Sequence, residues 1–129
     1  MRLKLLSVGL VVAMTVGCAD DRPPSPGTLC ETQYASPNFC TSTCAGAMRT
    51  AGATECADET AALVTSTEYV TFRTCLDECA IVRDCMGVGA GILECNCLVR
   101  CAGAQSRELQ NALTANMLCF ERATATECL

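Results

Sequence analysis

From Phe72 onward, apolar residues return at steps of three and four: Phe72, Cys75, Leu76, Cys79 and Val82 share one stripe of a helix. Thr65 and Glu68 ahead of it have capping-box spacing, which predicts a helix start there. Gly87, Gly89 and Gly91 interrupt the pattern and predict a turn, with a return helix from near Gly91 carrying Cys95, Cys97 and Cys101. Further on, Ser106 is placed to cap a last helix whose apolar side is Leu109, Leu113, Met117, Leu118 and Phe120.

Upstream, Ser36-Pro37 has the form of a helix start, with Ser as N-cap and Pro at the first helical position. Cys40, Cys44, Ala47, Met48 and Ala51 then fall on one face, and Gly52 is a stop. A short second helix is expected from Thr54 through Leu63, carrying Cys56, although the β-branched stretch after it also suits extended chain. The pattern predicts an all-α domain of four or five short helices.

Cysteine decides how such a domain holds together. There are 13 in 129 residues, against Tyr34, Tyr69, Phe39, Phe72 and Phe120 as the only aromatics. In a short chain this balance points to a disulfide scaffold rather than a core of large apolar side chains. The stretch from Cys75 to Cys101 is the densest. Cys75/Cys101 and Cys79/Cys97 lie symmetrically about Val88, and Cys85/Cys95 about Ala90. Residues facing each other in an antiparallel helical hairpin keep such a common centre, so the expected bridges are Cys75–Cys101, Cys79–Cys97 and Cys85–Cys95. The third is offset and leans on the glycine turn to close. Any two C-x3-C motifs pass this test, so Cys40–Cys79 with Cys44–Cys75 is an allowed rival. Cys30, Cys40, Cys44, Cys56, Cys119 and Cys128 complete an even set of twelve and leave 15 connectivities open.

The paired C-x3-C motifs at Cys75/Cys79 and Cys97/Cys101 resemble the twin C-x3-C hairpins of the small mitochondrial import chaperones. The likeness covers residues 75–101 alone, Cys85 and Cys95 are extra, and it is read as convergence on one geometry with no chaperone activity implied. C-x9-C also occurs twice, at Cys30/Cys40 and Cys85/Cys95, but Pro37 and the glycines interrupt those stretches and a twin C-x9-C fold is rejected. Cys40-TST-Cys44-AGA and Cys97-LVR-Cys101-AGA share a frame, a hint of duplication.

Residues 1–17 have Arg2 and Lys4 ahead of an apolar run from Leu5 to Val16, too short to span a bilayer comfortably but suited to a signal peptide. The segment closes on Met14-Thr15-Val16-Gly17-Cys18, which resembles the lipobox of bacterial lipoproteins. Gly17 and Cys18 match, while Thr15 stands where Leu is commonest. The resemblance implies a lipid on Cys18 as the new N-terminus, and Ala19 after it implies outer-membrane sorting. The alternative is ordinary cleavage after Ala19 and secretion without an anchor. Residues 18–29 then read as the lipidated Cys and a Pro-rich tether, and 30–129 as the domain.

Without Arg2 and Lys4 the chain carries seven Arg against 14 Asp and Glu, a net charge of −7. An acidic module poor in aromatics suits neither nucleic acid nor an anionic membrane surface. There is no His, which removes Ser/His/Asp catalysis. Asp58-Glu59 and Asp77-Glu78 are adjacent on helices and most simply solvated. Gly87–Gly91 lacks the Lys and Ser/Thr of a phosphate loop. No C-x2-C knuckle supports a zinc site, and Cys95-Asn96-Cys97 is a weak basis for redox chemistry. The expected protein is an extracytoplasmic, membrane-tethered binding or structural module for an envelope partner, without cofactor or catalytic residues. A thiol-redox or metal-binding protein is the alternative of another class.

Overall fold

The computed structural model describes residues 24–85 and 90–129. The expected signal peptide, Cys18, the first half of the tether and the head of the glycine turn lie outside them. The described chain is a disulfide-rich all-α domain. In order it runs α1 (Pro26–Ala35), α2 (Ser42–Ala53), α3 (Ala57–Val64), α4 (Tyr69–Asp77), β1 (Ile81–Cys85), β2 (Ala90–Leu93), α5 (Cys95–Gly103), α6 (Arg107–Ala123) and α7 (Ala125–Cys128).

The longest helix, α6, is the axis of the domain: α1, α2, α3, α5 and α7 all pack on it. Ser106 starts it as expected, its Oγ accepting from the Leu109 N–H, and Leu109 and Leu113 are buried beneath. The core joins Cys30, Leu63, Phe72, Cys79, Cys97, Leu98, Cys101, Ala102, Leu109 and Leu113. Four of these ten are half-cystines. Sulfur thus fills space that larger apolar side chains fill elsewhere, consistent with Cys being among the most buried residue types.

Two helices were not anticipated, α1 and α7. Helix α1 begins inside the expected tether, with Ser25 as N-cap over Thr28 N–H at 3.2 Å and Pro26 at the first position. That is the Ser-Pro signature read at Ser36-Pro37, used eleven residues earlier. At the second site it works in reverse. Pro37 disfavours helical backbone in the residue before it, so Ser36 is extended (ψ 131°) and ends α1. Residues 37–40 form turns, and α2 starts at Ser42 under Thr41, whose hydroxyl accepts from Cys44 N–H at 3.1 Å. The expected helix from Pro37 is corrected accordingly, while its buried face at Cys44 and Ala51 stands.

The largest departure is the hairpin. Helix α4 stops at Asp77, so Cys79 follows it in a bend, and the expected continuation of helix through Val82 is an antiparallel β-ribbon. Ile81 pairs with Leu93 and Cys85 with Ala90, with an irregularity between Ile81 and Arg83. Val82 is β-branched and Ile81 with it, residue types that favour extended backbone. The return helix therefore begins at Cys95 rather than near Gly91. The capping box also dissolves: Thr65 Oγ1 donates to Ala61 O, and Glu68, itself the N-cap residue of α4, makes no side-chain cap there.

Candidate functional site

All twelve cysteines from Cys30 to Cys128 are joined in six bridges. Cys75–Cys101 and Cys79–Cys97 link the end of α4 to α5, as the symmetric spacing predicts. The Cys85–Cys95 bridge does not form. In the ribbon Cys85 pairs with Ala90 at the tip, whereas Cys95 lies two residues past Leu93 at the base. From Cys85 back to Ile81, the partner of Leu93 at the base, is four residue steps, about 13 Å of strand, beyond the roughly 7 Å that a disulfide can close. Cys85 bonds to Cys40 instead, and Cys95 to Cys30. The rival pairing of Cys40/Cys44 with Cys75/Cys79 is absent too. Cys44 holds Cys128, and Cys56 holds Cys119.

This network fits an oxidising, extracytoplasmic compartment. Among the described residues no helix is long and apolar enough to cross a membrane.

Inside it, two bridges lie against each other. The sulfurs of Cys79, Cys97 and Cys101 are all within 4.8 Å of one another, and all three residues are buried. A metal ion binds thiolates, and in this oxidised arrangement each sulfur is already committed to a bond. Cys95 and Cys97, the C-x-C pair, are divided between two different bridges. Arg100, one turn further along α5, places Nη2 at 3.5 Å from Cys97 Sγ.

Several carboxylates are spent on local structure, although Glu59 Oε2 is buried with no hydrogen-bond partner among the described residues. Asp58 and Glu59 lie in the first turn of α3, where they complement the helix dipole. Asp77 pairs with Arg73 at 3.8 Å across one exposed turn. Glu94 caps α5, its two carboxylate oxygens accepting from Asn96 N–H at 2.8 Å and Cys97 N–H at 2.9 Å. Glu68 accepts from the hydroxyl and the backbone N–H of Ser106, and these bonds hold its carboxyl below the usual range.

Beside the bridges, Leu63, Phe72, Leu98, Leu113, Met117 and Phe120 line an open cleft of about 370 Å³. Its rim carries Arg73, Tyr69, Gln33 and Asn116. Gln33 donates to Met117 O at 3.1 Å and Asn116 to Thr60 Oγ1 at 3.2 Å, so both amides brace the helices that form the walls. Tyr34 stands edge-on to Phe39 with ring centroids 4.8 Å apart, and burial pushes its phenol up from the ordinary value. The volume is at the small end of ligand pockets. Sequence reasoning did not anticipate the cleft, because its walls come from α1, α2, α3, α4, α5 and α6 and no single periodic stretch encodes it.

No family model matches this chain, and neither a curated protein nor a solved structure shows significant similarity to it.

Proposed function

We propose that this protein is a lipid-anchored, extracytoplasmic module of a bacterial envelope, with a binding or structural rather than a catalytic role. The pairing of the cysteines supports the extracytoplasmic compartment, while the anchor rests on the lipobox-like end at Cys18, because cleavage after Ala19 would leave the same even set of twelve. The twelve from Cys30 to Cys128 are consumed in six bridges, and the thirteenth, Cys18, sits alone at the end of a lipobox-like segment. A lipid on Cys18 uses it without disturbing the parity of the fold. Membrane attachment then comes from the acyl chains, and the acidic domain projects from the surface, with Ala19 in favour of outer-membrane sorting. The non-catalytic reading is supported by where the candidate groups have gone: Glu94 into a helix cap, Asp77 into an ion pair with Arg73, Glu68 onto Ser106, and the cysteines into bridges.

Fractionation of cells expressing the full chain tests the anchor. The wild-type protein is expected in the detergent-soluble membrane fraction and to incorporate labelled palmitate. Cys18→Ser is expected to lose both. Wild-type protein recovered in the soluble fraction without label would instead support secretion after ordinary cleavage.

A further inference from the structure

Of the residues that line the open cleft beside the bridges, Arg73 is the only charged one. Beyond residue 17 the chain carries seven Arg against 14 Asp and Glu, yet no acid among the described residues lines the cleft. The floor is apolar: Leu63, Phe72, Leu98 and Leu113 are buried there, and Met48 and Met117 stand half-buried beside them. Methionine is unbranched and adapts its shape to what it packs against. Tyr69, one turn before Arg73 on the same face of α4, borders the rim with it.

We propose that this cleft binds a small apolar monocarboxylate, its hydrocarbon body against Leu113, Met48 and Met117 and its carboxylate on the Arg73 guanidinium. Size limits the ligand. A volume of about 370 Å³ holds about a dozen heavy atoms at the roughly 30 Å³ that a water takes in the liquid. Decanoate, a linear acyl chain, and phenylbutyrate, an aromatic acid, both match that size. The chemistry shared by the two sources is one carboxylate on an otherwise apolar body. A single cation at the edge of an apolar cleft selects that combination.

Arg73 is available for this contact. Its Nε lies 3.8 Å from Asp77 Oδ1, beyond hydrogen-bond range, and the two side chains are 63% and 71% exposed. Water therefore holds much of the guanidinium, whose planar fork matches a carboxylate through two parallel hydrogen bonds. The same charge disfavours a cationic ligand, and the apolar floor disfavours a polyhydroxy acid, whose hydroxyls would be buried without partners. The inference deepens the binding role proposed above and rests on it, but not on a lipid at Cys18.

The test follows the Met48 and Met117 methyl signals by NMR during titration with decanoate or phenylbutyrate. It uses the full oxidised chain, isotope-labelled at methionine, in a phospholipid nanodisc suspension where anchored and free protein are both soluble. A saturable shift of both methyls with either acid is expected. Decanoate alone points to an acyl source and phenylbutyrate alone to an aromatic one, and each result upholds the carboxylate. Arg73→Gln is expected to weaken binding about fivefold, the upper end for an exposed ion pair. Asp77→Asn, which frees the guanidinium, is expected to tighten it about twofold, the worth of an i,i+4 pair. No saturable shift with either acid would overturn the proposal. So would decanol or decyltrimethylammonium binding as tightly as decanoate, or unchanged affinity in Arg73→Gln. Palmitate labelling at Cys18 reads the anchor separately, so each reading can fail without the other.

Discussion

Glu68 and Ser106, 38 residues apart, are joined by two hydrogen bonds, one from the Ser106 backbone N–H to Oε1 at 3.0 Å and one from its hydroxyl to Oε2. The residue that precedes α4 therefore holds the first residue of the α6 cap. Two helices that do not follow one another in sequence are started from a single joint.

That joint has a pH signature. The Glu68 carboxyl is held below its ordinary value of 4.5 by the Ser106 hydroxyl first and the Ser106 N–H second. A depressed folded-state value means that the joint contributes stability above the unfolded value and loses it as pH falls through the folded one. Glu68→Gln is expected to melt at a lower temperature than wild type at pH 6, with the difference shrinking as the pH falls through the depressed folded-state value. Thermal melts at pH 6 and through the acid range check this. A separate variant, Ser106→Ala, removes an N-cap and is expected to cost about 1 kcal/mol.

Phe72 is 1% exposed in the core while Val70, two residues earlier on α4, is 74% exposed. Phe72→Ala is expected to lower stability by about 3–5 kcal/mol through loss of burial and the cavity left behind. Val70→Ala is expected to stay within about 0.5 kcal/mol of wild type. Guanidinium unfolding of the oxidised protein separates the two.

Two glycines on helices should respond in opposite senses. A Cβ at Gly27 would stand 2.9 Å from Val99 Cγ2, where α1 crosses α5, so Gly27→Ala is expected to destabilise despite a better helix former. A Cβ at Gly103 meets nothing within 4 Å, and Gly103→Ala is expected to gain about 0.4–1 kcal/mol. Adding Val99→Ala to Gly27→Ala should restore part of the loss. Melting temperatures of the three variants provide the check.

Helix α7 has four residues, too few to stand alone in water. Cys44–Cys128 ties it to α2, and Asn38 Nδ2 donates to Leu129 O at 3.0 Å beside it. The double variant Cys44→Ser/Cys128→Ser is expected to lose about 2–4 kcal/mol. Amide exchange should show protection lost first at residues 125–128, with Leu109 and Leu113 in α6 still slow.

The helical class was legible because the apolar stripes of α4 and α6 repeat at helical spacing, and Phe72, Leu109 and Leu113 are indeed buried. Cys75–Cys101 and Cys79–Cys97 were legible for a related reason: two i,i+4 pairs facing each other keep a common centre. Cys85–Cys95 was misread because the pair is centred on Ala90, while the ribbon stays close to the centre of the outer bridges and sets Cys85 opposite Ala90. Ser-Pro misled at Ser36 because the dipeptide can begin one helix or end another, and only Thr41 downstream shows which. Glu68 satisfied a local capping spacing yet turned to Ser106, a partner that no sequence window contains. The six bridges of the long-range framework, apart from the two at α4 and α5, depend on such distant encounters.

The most direct measurement of the central claim is the intact mass of the native protein extracted from the membrane fraction, taken without reduction after alkylation under denaturing conditions. The expected species is a chain beginning at Cys18, carrying a diacylglyceryl group and taking up no alkyl group. A chain beginning after Ala19 without lipid would contradict the anchor, and two or more alkyl groups would contradict the closed framework of six disulfides.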